Sequence, residues 1–298
     1  MTEVTHLCED AKSALKLSNE DRIRWLRRSR WIPYTRAKQI IDKLDDLLTY
    51  PTLHRMPCVL IIGETNNGKS AIVNRFQRLH AASDNPEDDC IFMPVLAVQA
   101  PPVPEENRFY ASILDKLHAP YRPSDSAARR QTQVLKILST AKLRMLIIDE
   151  LHNIVAGQTG KQRIFLNVLK YLANELRIPL IGVGTIDAVR AVQSDPQLAN
   201  RFEPVGLPTW ELNRELQILL ASFERLLPLK KPSNLANEQL AQTLLALSEG
   251  TIGELGALLT SAASCAIETG QECISEKLLR SLPWEPPSIR KRSIEGMF

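Results

Sequence analysis

The 298-residue chain is poor in the features that mark several protein classes. Its five cysteines (Cys8, Cys58, Cys90, Cys265 and Cys273) are scattered, and none lies in a C-x-x-C pair. That spacing supports neither a zinc knuckle nor a disulfide scaffold, so the cysteines read as reduced thiols of a cytoplasmic protein. No apolar run approaches the roughly 18–20 residues of a membrane span. The strongest run, Cys58 to Ile62, has the length of a strand, and the polar, acidic start lacks an apolar signal-peptide core. A membrane partner is therefore not expected. Glycine shows no period, which excludes collagen. Charge of one sign is also lacking: 37 Lys and Arg against 34 Asp and Glu leave a formal +3. That average alone says nothing about nucleic acid. What is present, 44% apolar and 24% charged residues, is the make-up of an ordinary folded protein. The length suggests about two domains.

The neutral average hides a local excess. From Arg22 to Gln39 the chain holds Arg22, Arg24, Arg27, Arg28, Arg30, Arg36 and Lys38 with no acid after Arg22, and Trp25, Trp31 and Tyr34 are interleaved. Ser18 with Asp21 three residues on resembles an N-cap followed by an acidic first turn. Ile40, Ile41, Leu44, Leu47 and Leu48 give residues 35–48 a helical apolar face. From residue 58 strands and helices alternate: strands over 58–62, 91–99, 144–149 and 179–184, helices over 70–80, 108–117, 127–139 and 161–176. Strands that are continuously apolar and separated by helices predict a parallel sheet covered on both faces. After Pro208 the strand signals stop, and helices are expected over 210–227, 237–247, 252–269 and 274–282. The expected organisation is an N-terminal helical segment (1–50), an α/β core (51–207), a small helical domain (208–282) and a basic flexible tail (283–298).

Gly63-Glu64-Thr65-Asn66-Asn67-Gly68-Lys69-Ser70 matches G-x-x-x-x-G-K-[ST] in full, directly after a strand and opening a helix. In a P-loop the backbone N–H groups and the helix N-terminus cradle phosphate oxygens. Lys69 would reach the β- and γ-phosphates, and the Ser70 hydroxyl would bind Mg²⁺. Leu143 to Ile148 followed by Asp149-Glu150 is an apolar strand ending in two carboxylates. Asp149 would hold the Mg²⁺ shell and Glu150 would act as general base. His152 reads as structural or as a domain contact. Leu180 to Thr185 ends a strand that a central position would bring beside the P-loop. Thr185 then reads as a γ-phosphate sensor, or as a plain strand-ending turn. Gln99 could hydrogen-bond Glu150, or be an edge polar residue. Arg201, in Asp195-Pro-Gln-Leu-Ala-Asn-Arg-Phe202, reads as a finger supplied to a neighbour's γ-phosphate, or as a surface ion pair.

Four motifs in this order, followed by helices, resemble the AAA+ ATPases. The blocks Arg30-Trp-Ile-Pro-Tyr34, Gly63 to Ser70, Gln99-Ala-Pro-Pro102, Ile148-Asp-Glu-Leu-His-Asn153, Gly182-Val-Gly-Thr185 and Ser194 to Phe202 more closely resemble the TniB/TnsC family of transposition ATPases, on its TniB-like branch. The resemblance implies an AAA+ core with a helical lid in a bacterial, DNA-associated protein. It implies a regulator that binds ATP and Mg²⁺ and oligomerises as a ring or filament on double-stranded DNA. Such a regulator passes a target to a DDE transposase of the TniA/TnsB kind, meets a TniQ-like target selector, and disassembles on hydrolysis. Carried over by motif, the catalytic residues are Lys69, Glu150 and Arg201. The nucleotide-binding set is Gly63 to Ala71 with Thr185 and Tyr34, and the Mg²⁺ set is Ser70 and Asp149. Trp31, Pro33 and Tyr34 read as adenine-packing or as core residues. The basic cluster reads as a contact to DNA, to a neighbouring subunit or to the adenine edge, or as a solvated helix face. The loop from Pro101 to Asn107, Arg129 and Arg130 are further expected DNA contacts, and the tail Arg290-Lys-Arg292 reads as a contact to DNA or to a partner, or as a basic stretch that serves solubility. The lid departs from the AAA+ pattern: Thr251-Ile-Gly-Glu254-Leu-Gly256 has no sensor-2 arginine. Competing readings are a nucleotide-gated scaffold with negligible ATPase and a replication initiator or helicase loader.

Overall fold

Because Cys58-Val-Leu-Ile-Ile62 has no polar face, it needs cover on both sides. In the computed structural model, which describes residues 5–84 and 91–295, it forms the fourth strand of a five-stranded parallel sheet. In chain order the elements are α1 (Glu9–Ala14), α2 (Asn19–Leu26), α3 (Thr35–Leu48), β1 (Cys58–Gly63), α4 (Lys69–Leu79), β2 (Ser83–Asp84), β3 (Ile91–Phe92), β4 (Val95–Gln99), α5 (Glu106–Lys116), α6 (Ala127–Thr140) and β5 (Met145–Asp149). A 3₁₀ turn (Leu151–Ala156) follows, then α7 (Thr159–Leu176), β6 (Leu180–Gly184), α8 (Ile186–Gln193), α9 (Pro196–Ala199) and β7 (Phe202–Leu207). Five helices follow among the described residues: α10 (Arg214–Glu224), α11 (Glu238–Ser248), α12 (Ile252–Glu268), α13 (Glu276–Ser281) and α14 (Pro287–Glu295). The sheet order is β4-β5-β6-β1-β7, all parallel, and β2 and β3 form a separate antiparallel pair.

The chain forms two units. One holds Arg36–Thr65 and Lys69–Leu207, the other Met1–Thr35, Asn66–Gly68 and Pro208–Phe298. The sheet unit is built around Leu60, Leu146, Ile148, Phe109 and Phe165, all essentially inaccessible. The helical unit packs Leu219, Leu220, Leu244, Leu258 and Ala262 around Leu26 of α2. The segment expected as one N-terminal piece is thus shared: α1 and α2 belong to the helical unit, and α3 to the sheet unit. Residues 1–4 of that segment lie outside the described residues, as do Cys90 and residues 296–298 of the expected tail. The remaining four cysteines are free thiols.

Three elements differ from the sequence expectation. The strand expected over 91–99 is two strands, broken at Pro94, which has no N–H to give a ladder and whose carbonyl instead accepts from Arg144 and Met145. β7 was not expected, because Pro204 and Gly206 lie inside it. It is an edge strand paired to β1, and an edge strand tolerates proline. The tail carries a helix, α14, where a flexible segment was expected. Among the described residues no single helix is long and apolar enough to cross a membrane. The apolar residues of α11 and α12 lie in the core of the helical unit, and the two helices are bent at 113° to each other.

Candidate functional site

Sheet register gathers the site. Ile62 pairs with Gly184, Ile148 with Gly182 and Gln99 with Asp149. The residues that follow β1, β5 and β6 therefore emerge along one edge, the C-terminal ends of the strands. Asp149, Glu150, Thr185 and the chain leading to Lys69 and Ser70 all arise there. In open α/β sheets this edge is where ligands bind.

Lys69 begins α4 and is only 8% exposed. Its Nζ donates to the carbonyl oxygens of Gly63 (2.9 Å) and Glu64 (2.7 Å). Burial lowers its pKa, while the carboxylates of Glu150, Asp149 and Glu64 oppose that shift without cancelling it. Among the described residues it has no ion pair, so this is a buried cation held only by carbonyls. A phosphate is the anion such a loop fits. Ser70 Oγ donates to Asp149 Oδ2 at 2.7 Å. A hydroxyl beside a carboxylate is a hard-oxygen donor set suited to Mg²⁺, which takes one or two protein ligands and fills the rest with phosphate and water. No cluster of three or more His, Cys, Asp or Glu capable of holding a metal occurs among the described residues.

Glu150 sits in the left-handed region (φ 55°, ψ 36°) and caps the following 3₁₀ turn. Its Oε2 lies 3.0 Å from His152 Nε2, and its N–H donates to Asp149 Oδ1 (2.8 Å). His152 Nδ1 is buried without a hydrogen-bond partner. The partner of Glu150 is therefore His152; Gln99 is exposed and makes no hydrogen bond to it. From the sequence alone His152 reads as structural, although it lies two residues after Glu150. Only the left-handed turn at Glu150 brings the two side chains together. Thr185 is the N-cap of α8, directly after β6, and its side chain makes no capping hydrogen bond.

The tip of the loop, Asn66–Gly68, is organised within the helical unit. Asn66 (φ 61°) and Gly68 (φ 86°) are both left-handed, and a Cβ on Gly68 would lie 3.1 Å from Ile252 Cγ2 and 3.7 Å from Tyr34 Oη. Tyr34 stacks edge-on against Trp210 (5.1 Å), and burial pushes its phenol up to about 12. It is thus packed on the helical core and near the loop tip at once. Glu64, Thr65 and Ala71 are exposed.

Other expected residues lie elsewhere. Arg201 precedes β7 at the N-terminal end of the sheet, where its carbonyl accepts from Cys58 N–H, the start of β1. The length of β1 separates it from Gly63, so within one chain it cannot serve the P-loop. Its guanidinium donates to Asn174 Oδ1 (2.8 Å). With Arg55, Tyr50, Asn200 and Met56 it lines an open cleft of about 430 Å³; sequence reading did not single out Arg55. Arg22 is withdrawn from the expected DNA face: it is 1% exposed and bound to Glu272. Arg130 is likewise buried and donates to the carbonyls of Asn107, Arg122 and Pro123. Arg24 and Arg129 pair with Asp21 and Asp125, and Arg30 lies over Trp25. Arg27, Arg28 and Lys38 remain exposed.

A five-stranded parallel sheet with a P-loop, an Asp-Glu strand end and helices after the sheet defines an AAA+ ATPase. Residues 22–212, well over half of the chain, match the family described as bacterial TniB protein, and the chain belongs to that family. Among solved structures it resembles the ORC2 protein of Aeropyrum pernix in its ADPNP-ADP complexes (TM-score 0.60, 18% identity, 86% of this chain and 70% of that one). It also resembles Drosophila ORC bound to DNA (0.58, 16%, 94% and 68%) and the Aeropyrum pernix ORC1 protein in complex with DNA (0.56, 15%, 87% and 68%). At these identities the likeness is one of fold. In sequence, the chloroplastic chaperone ClpC1 of Arabidopsis thaliana is 26% identical over 171 residues, 57% of this chain and 17% of that protein. ClpB of Meiothermus ruber is 26% identical over 167 residues, 56% of this chain and 18% of that protein. The chain spans less than a fifth of these chaperones.

Proposed function

We propose that this chain is an Mg²⁺-dependent ATPase that oligomerises on double-stranded DNA and regulates transposition. Its partners in this reading are a DDE transposase of the TniA/TnsB kind and a TniQ-like target selector, and hydrolysis drives disassembly. The observation that carries the ATPase reading is the buried, unpaired Lys69 ammonium on the same sheet edge as the Ser70–Asp149 pair. Membership of the TniB family supports the role in transposition.

The loop from Gly63 to Ala71 binds the phosphates, with Lys69 releasing its carbonyl partners to pair with them. Ser70 and Asp149 hold Mg²⁺, which when bound neutralises phosphate charge. Glu150 takes a proton from the attacking water, His152 orients its carboxylate, and Thr185 donates to the transferred phosphate. Tyr34 packs the adenine. Arg201, at the opposite end of the sheet, acts on the nucleotide of a neighbouring subunit, with Arg55 beside it. Exposed Arg27, Arg28 and Lys38 supply sequence-independent phosphate contacts to DNA. The test is ATP turnover with and without duplex DNA, in wild type, Lys69→Ala and Glu150→Gln. The reading requires turnover in wild type only, with Glu150→Gln still binding ATP. Equal near-zero rates in all three would instead make the chain a nucleotide-gated scaffold.

A further inference from the structure

We propose that Arg290, on α14, sets the nucleotide affinity of the phosphate loop by neutralising Glu254 at the loop tip. The inference rests on the nucleotide-binding reading above and adds a residue to it from outside residues 22–212, the stretch that matches the family.

Glu254 lies in the first turn of α12, with its side chain 16% exposed. Its Oε1 accepts from Asn66 Nδ2 at 3.1 Å. The two segments are interlocked: Gly253 N–H donates to Asn66 O (3.0 Å), and a Cβ on Gly253 would fall 2.0 Å from Asn66 Oδ1. The backbone beside Glu254 is therefore held against the loop tip. A carboxylate fixed on a phosphate-binding loop opposes its ligand, and the opposition grows with phosphate charge. The chain answers with a cation from its C-terminal helix: the Arg290 guanidinium pairs with Glu254 Oε2. That helix is anchored on its own account. Ser288 N–H donates to both carboxylate oxygens of Glu249 (3.1 and 3.2 Å). Arg290 lies over the Trp284 ring at 5.6 Å, and the Trp284 indole N–H donates to Leu247 O (3.0 Å). Asn66, Glu254 and Arg290 form one continuous polar chain within the helical unit. The stretch 251–256 carries no arginine of its own, and Arg290 brings a positive charge to it from a different helix.

The experiment measures Kd for ATP, ADP and AMP by calorimetry on the full chain, in wild type, Arg290→Ala, Glu254→Gln and the double variant. Arg290→Ala is expected to weaken ATP about three- to tenfold, the size of an uncompensated, partly screened charge. ADP should suffer less and AMP least. The double variant should return to the wild-type Kd or below it, because the carboxylate that needed compensation is gone. Equal Kd values in wild type and Arg290→Ala overturn the proposal. So does a double variant as weak as Arg290→Ala, since that result would mean lost packing. A wild type that binds none of the three overturns the nucleotide reading itself, and the wild-type measurement tells the two failures apart.

Discussion

Arg22 opens the basic run that the sequence offers as a DNA-binding face, and the structure uses it otherwise, which makes it a sharp test. Its guanidinium meets Glu272 in a two-pronged pair (2.9 and 2.6 Å) and donates to Pro228 O (2.5 Å). Glu272, left-handed just beyond α12, also accepts from the Lys230 N–H (3.2 Å). Burial alone would raise the Glu272 pKa; the hydrogen bonds from Arg22 and Lys230 outweigh it and bring it from 4.5 to about 2. A shift of that size at about 1.4 kcal/mol per unit corresponds to about 3 kcal/mol of folding stability. Because the folded pKa lies below the unfolded one, this contribution is complete above pH 4.5 and is lost as pH falls from 4.5 towards 2. Replacing Glu272 by Gln leaves a buried guanidinium without its counter-charge, a loss of roughly 3–5 kcal/mol. All four tryptophans (Trp25, Trp31, Trp210 and Trp284) lie in the helical unit, so urea unfolding followed by tryptophan fluorescence reports on that unit. Glu272→Gln should unfold at clearly lower urea than wild type at pH 7, and the gap should close as pH falls from 4.5 to 2. Equal midpoints at pH 7 would refute the reasoning. So would an Arg22→Met variant of full stability that had lost DNA affinity.

Two further outcomes follow from the site. His152→Ala should lower kcat about tenfold or more with the Kd for ATP unchanged, because the ring that holds the Glu150 carboxylate 3.0 Å away is lost and a misplaced base is costly; a steady-state assay beside equilibrium binding separates the two, and an unaltered kcat would remove His152 from the account. Arg201→Ala should leave ATP binding intact and reduce turnover about a thousandfold, with partial recovery when it is mixed with Lys69→Ala subunits that still offer Arg201; collapse of nucleotide affinity, with no recovery, would contradict a role in trans.

The phosphate loop and the Asp149-Glu150 strand end are legible in the sequence because their chemistry is local: a few consecutive residues fix both the turn and the groups it presents. The convergence of Thr185 with them follows from a parallel sheet with β6 beside β1. The fate of the arginines was not legible. Arg22 finds Glu272 some 250 positions away, and Arg290 finds Glu254 across a helix that composition marked as a tail. β7 escaped notice because an edge strand need not carry a continuous apolar run, and Pro204 argues against a strand unless its edge position is known. On paper Gln99 is the group offered to Glu150 and His152 reads as structural; in the fold, with Glu150 left-handed, it is His152 that lies beside the carboxylate.

The central claim is that nucleotide state governs assembly on DNA. It is tested most directly by electron microscopy of the chain with linear duplex DNA at low salt, with ATP, ADP or no nucleotide, in wild type and Glu150→Gln. The account predicts assemblies with ATP that wild type loses as ATP is consumed, that persist in Glu150→Gln, and that are missing with ADP. Assemblies that form equally without nucleotide, or none with ATP in either protein, would contradict it.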